Sequence, residues 1–72
     1  MKIKILLDTY HSALILASIA SKFDENITIT DNKGLRANAK SIMGTLSAME
    51  YSELWLETEK EHYYDFKDFI AE

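Results

Sequence analysis

Few side chains in this sequence could do chemistry, and their surroundings limit what that chemistry can be. Ser41 lies in the run Asn38 to Met49, Asn-Ala-Lys-Ser-Ile-Met-Gly-Thr-Leu-Ser-Ala-Met. It follows an alternating stretch, Leu35, Ala37 and Ala39, and precedes residues able to form two turns of helix, so its hydroxyl reads as an N-cap. The two imidazoles, His11 and His62, stand near opposite ends of the chain. Taken alone, His11 is a helix-start histidine, exposed or partly packed. His62 has no obvious companion and reads as surface. No His-x-x-x-His pair and no cysteine is present, so no metal site is expected. A Ser-His-Asp set, a glycine-rich phosphate loop and a nucleophile elbow are also missing from the sequence, which argues against catalysis and against a cofactor.

The helix that Ser41 opens is richer in apolar side chains than one buried stripe requires. Ile42, Leu46 and Met49 fall at i, i+4 and i+7, while Met43 points elsewhere, so some apolar surface must face outward. Methionine suits a surface that meets several partners, being flexible and polarizable. Gly44 inside this helix costs roughly 1 kcal/mol relative to alanine and implies a close approach by something.

The remaining elements follow from periodicity. Ile3, Ile5 and Leu7 alternate with Lys2, Lys4 and Leu6, which predicts a first strand. Asp8 or Thr9 can cap a helix whose apolar positions are Ala13, Leu16, Ala17, Ala20 and Phe23, ending where Asp24-Glu25-Asn26 breaks the pattern. Leu14, Ile15 and Ile19 lie on its other faces, so at least one flank meets a loop, a second helix or a partner. Ile27 and Ile29 alternate with threonines, Asp31-Asn32-Lys33-Gly34 supplies turn chemistry, and the alternation resumes at Leu35, giving a β-hairpin. Leu54 and Leu56 flank Trp55 in a fourth strand. Thr58 and Glu61 form a capping box for an expected last helix, with Tyr63, Phe66 and Ile70, and Phe69 beside them, as its buried stripe.

The order is βαββαβα in a single domain spanning residues 1–72. Short connections allow an α+β open-faced sandwich, a four-stranded antiparallel sheet with three helices on one face and the other face wet. Leu6 and Trp55 would sit on that wet face, either in ordinary cross-strand packing or in a small dimer contact. The net charge of −4 and the lone arginine, Arg36, argue against nucleic acid as a partner. The acidic residues after Glu50 would favour partners with basic patches. The longest apolar run, Ala13 to Ala17, is too short to cross a bilayer, and no signal-peptide core follows Lys2, so a soluble, unprocessed chain is expected.

Lys40-Ser41-Ile42-Met43-Gly44 closely resembles the regulatory-serine segment of HPr, the small phosphocarrier of the bacterial sugar phosphotransferase system. Ala20-Ser21-Lys22-Phe23-Asp24 resembles the end of that family's first helix, at nearly the expected spacing. The resemblance implies the open-faced sandwich layout; the absence of cysteine fits a reducing cytosol, and a cytoplasmic monomer or weak dimer is expected. It also implies protein partners: phosphotransferase enzymes, an HPr kinase or a transcription regulator. It makes Ser41 a regulatory phosphorylation site and Ile42, Met43 and Leu46 a docking patch. Periodicity alone would bury Ile42 and Leu46, whereas the resemblance exposes them and gives the core to Thr45 and Ala48.

HPr proteins carry the phosphoryl group on a histidine at the start of the first helix, followed by an arginine and a proline. An ungapped alignment puts Thr9, His11 and Ser12 at those three positions, so the motif is not matched. His11 remains a candidate acceptor if the helix begins at Ser12. The reading is therefore a regulatory or adaptor protein, the alternatives being a carrier that uses His11 and a copy without phosphorylation chemistry.

Overall fold

The computed structural model describes residues 1–71. Along the chain run strand β1 (Lys2–Ile5), helix α1 (Tyr10–Ala20), strands β2 (Thr28–Thr30) and β3 (Arg36–Asn38), helix α2 (Ile42–Ala48), strand β4 (Leu54–Glu57) and a single 3₁₀ turn (Lys67–Phe69). The four strands form one antiparallel sheet in the order β1-β4-β2-β3. The expected α+β architecture and its sheet are therefore present, with two helices rather than three.

The strand alternation fixes which face is covered. Leu54 and Leu56 turn into the core, while Trp55 and Glu57 occupy the alternate positions and are half-buried. Ile5, Ile29 and Leu56 join Leu16 and Ala20 of α1 and Ala48 of α2 in one apolar cluster, closed at its end by Phe66 and Phe69. Trp55 lies opposite Lys4 on one side and Thr30 on the other. Around it Lys2 and Arg36 both reach Glu57, at 3.4 Å and 3.1 Å. Such exposed pairs contribute about 0–1 kcal/mol each and serve register more than stability. The β2–β3 turn uses the chemistry expected of it: Asp31 accepts the amides of Lys33 and Leu35, and Asn32 adopts φ 63°, a left-handed conformation asparagine tolerates. The two amide hydrogen bonds hold the Asp31 carboxyl below the usual range.

The third helix is replaced by turns, because its capping groups are engaged elsewhere. The Thr58 amide donates to the Met1 carbonyl at 2.7 Å, and the Thr58 hydroxyl donates to the Lys60 carbonyl. Glu61 accepts the Tyr63 amide rather than reaching back to residue 58. Phe66 and Phe69 are buried three residues apart, the spacing of a 3₁₀ turn, whereas Tyr63 is 39% exposed and leaves the expected stripe. Beyond the turn the chain pairs with β1. Leu6 donates to Phe69, Ala71 donates to Lys4, and Ile70 bridges Ile5. This contact covers a sheet edge that would otherwise present unpaired amides.

Candidate functional site

Ser41 is the N-cap of α2. Its backbone is extended, and its Oγ accepts the Gly44 amide at 3.1 Å. Gly44 is required by a close approach: a Cβ there would stand 3.1 Å from the Asn38 carbonyl oxygen, which itself accepts the Ser41 amide at 3.0 Å. The end of β3 is thus pressed against the first turn of α2, and only small residues fit between them.

The same closeness decides which face of α2 is buried. Thr45 and Ala48 are both 0% exposed, while Ile42 is 52% and Met43 75% exposed. Threonine is a poor core residue when its hydroxyl is unsatisfied, but Thr45 Oγ1 lies 3.1 Å from the Ala39 carbonyl and 2.9 Å from that of Ser41. With the polar group satisfied, a small side chain lets α2 sit close to the sheet, and the larger residues turn outward. The conflict between periodicity and resemblance is resolved in favour of an exposed Ile42. Leu46 is half-buried.

Met43 and Leu46 face the start of α1 across a groove of about 860 Å³. Its opposite wall is Tyr10 and Leu14, and Met49 and Glu50 close the end beyond α2. Ile42 lies outside the groove lining, on the neighbouring exposed surface. Sequence reasoning missed Tyr10 and Met49 as parts of this surface. The available signal was the i, i+4 pair Tyr10 and Leu14 on α1, flanking the stripe of Ala13, Leu16, Ala17 and Ala20.

Helix α1 begins at Tyr10 with Thr9 as its N-cap, accepting the Ser12 amide at 3.0 Å. The Thr9 hydroxyl also reaches Ser12 Oγ at 3.0 Å, and Ser12 Oγ donates to Asp8 at 3.2 Å. The helix therefore starts earlier than the Ser12 start that would put His11 at its entry. His11 is its second residue, with an exposed side chain.

His62, expected on the surface without a companion, is instead half-buried in a polar knot. Its ring stacks on Phe23 with centroids 4.2 Å apart and meets Phe66 edge-on. Nε2 contacts Glu25, and Nδ1 lies 3.1 Å from Asp65. Glu25 also accepts the amides of Glu59 and Lys60 at 2.9 Å and 2.8 Å. Burial acts to raise the Glu25 carboxyl, but the Lys60 amide, His62 and the Glu59 amide outweigh it and hold it below the ordinary value. This knot fixes the C-terminal turns to the end of α1. Among the described residues, no group of three or more metal-ligating side chains converges.

Neither a family model nor a curated protein matches the sequence. The fold does have solved likenesses. The histidine-containing phosphocarrier protein of a mycoplasma superposes with a TM-score of 0.72 at 24% identity, over all of both chains. HPr-C-His from Thermoanaerobacter tengcongensis gives a TM-score of 0.69 at 25% identity, over 93% of this chain and 83% of that one. These likenesses give the chain the fold of small phosphocarrier proteins. The fold is HPr-like, in a chain divergent in sequence and without the phospho-histidine motif at the start of α1.

Proposed function

We propose that this HPr-like protein is a regulatory or adaptor protein, which docks other proteins through α2 and the adjoining start of α1. A kinase of the HPr-kinase type would phosphorylate Ser41. The observation carrying this reading is the orientation of α2: Ile42 and Met43 project into water directly after Ser41, while Thr45 and Ala48 serve the core. A phosphate of about −2 charge at that position changes the electrostatics of the apolar surface beside it without requiring a new fold. The partners would be phosphotransferase enzymes, the kinase or a transcription regulator, in a cytoplasmic sugar-uptake context. The protein itself would act as a monomer or weak dimer.

Phosphoryl carriage on His11 is the second reading, favoured by its exposed imidazole in the first turn of α1 and by the fold likeness to a histidine-containing phosphocarrier. Against it, Thr9 holds the cap position and the Asp8 carboxylate adjoins the helix start, where it would repel an arriving phosphate. Incubation with both donor systems separates the two. An HPr kinase with ATP is expected to leave an acid-stable label that disappears in Ser41→Ala. An acid-labile label from the phosphoenolpyruvate-dependent system, lost in His11→Ala, would replace the adaptor reading with carriage. No label from either donor would remove the phosphorylation switch.

A further inference from the structure

We propose that the α1–α2 groove selects a partner helix whose apolar stripe is flanked by lysine or arginine. This specificity rests on the docking role proposed above and names the chemistry of the partner. Leu14, Met43, Leu46 and Met49 supply the apolar lining. The charged side chains in that lining are Asp8, at the entry to α1, and Glu50, past the end of α2. Both are negative, and no lysine or arginine lines the groove. Acidic flanks on an occupant would be repelled by either carboxylate, whereas basic flanks would be paired and steered inward.

The occupant must also satisfy its own backbone. The groove lies between two helices whose amides and carbonyls bond internally, and it offers no sheet edge to an extended peptide. A helix meets that condition, and its i, i+3 and i+4 side chains can enter a lining in which Met43 and Met49 adjust their rotamers.

The test pans displayed random peptides of about 15 residues, four helical turns, on the full chain, with counter-selection on Met43→Glu. Met43 is largely exposed, so the substitution is expected to leave the fold intact; its unfolding midpoint is measured first, and Leu14→Glu replaces it if it unfolds. The expected peptides depend on Met43 and carry Lys or Arg beside an apolar helical stripe. They bind the Asp8→Asn, Glu50→Gln double variant about tenfold more weakly at low salt. Asparagine at position 8 keeps an acceptor for the Ser12 hydroxyl. Met43-dependent peptides with no basic excess, or with equal affinity for the double variant, would overturn the charge selectivity while leaving docking in place. Selection yielding no Met43-dependent peptide would overturn both.

Discussion

Replacing Thr45 by valine tests why α2 displays its large apolar residues outward. Valine matches threonine in shape, so the change removes a hydroxyl and adds a methyl at a fully buried position. The Ser41 carbonyl keeps the Thr45 amide at 2.9 Å, but the Ala39 carbonyl loses the hydroxyl that lies 3.1 Å away. A buried acceptor left without its partner costs about 1–3 kcal/mol, and burial of the added methyl returns up to about 0.8 kcal/mol. The expected net loss is about 1–2 kcal/mol. Trp55 is the single tryptophan and lies half-buried in β4, so its fluorescence reports urea unfolding. With a denaturant slope of about 1 kcal/mol per molar for a small domain, the midpoint should fall by about 1–2 M. Thr45→Ser keeps the hydroxyl and loses only the methyl, so comparing the two separates hydrogen bonding from packing. A valine variant as stable as the original would refute the hydroxyl's role in holding α2 close to the sheet.

Other expectations follow from neighbouring sites. Gly44→Ala should not gain the roughly 1 kcal/mol of helix propensity that alanine offers, because its Cβ meets the Asn38 carbonyl at 3.1 Å; a rise in the urea midpoint would show that this contact is slack. Thr9→Ala removes the cap of α1 and should cost about 1 kcal/mol, read in the same assay. The Glu25 carboxyl lies below its ordinary value in the folded chain, so its contribution is complete above the unfolded carboxylate pKa and lost as pH falls through the lowered folded value. Glu25→Gln should therefore flatten the acid limb of the stability curve, and an unchanged limb would mean that the knot with the Glu59 and Lys60 amides does not hold in solution.

The parts of the fold that were legible are those governed by local periodicity. The α1 stripe of Ala13, Leu16, Ala17 and Ala20, the hairpin turn with Asn32 and Gly34 and the Ser41 cap all depend on neighbours within a few residues, although α1 ends at Ala20 and leaves Phe23, the expected last member of the stripe, outside the helix. The last helix was not legible, because what prevents it comes from far away: Met1 takes the Thr58 amide and Glu25 takes those of Glu59 and Lys60. His62 was misplaced for the same reason, its companion Glu25 lying 37 residues earlier. The outward turn of Ile42 could not be read from apolar spacing, since it depends on Thr45 finding carbonyls for its hydroxyl. The groove needed two helices from different parts of the chain, and only its α2 wall stood out in the sequence.

The most direct test of the α2 face as a docking surface is the rate at which an HPr kinase labels Ser41 in Ile42→Glu compared with the unsubstituted chain. With the unfolding midpoint as control, labelling should fall at least about tenfold, an interaction loss of about 1.4 kcal/mol, while stability stays within about 0.5 kcal/mol, as for an exposed substitution. Labelling at the original rate, or a loss of several kcal/mol in stability, would contradict the assignment of this face to protein partners.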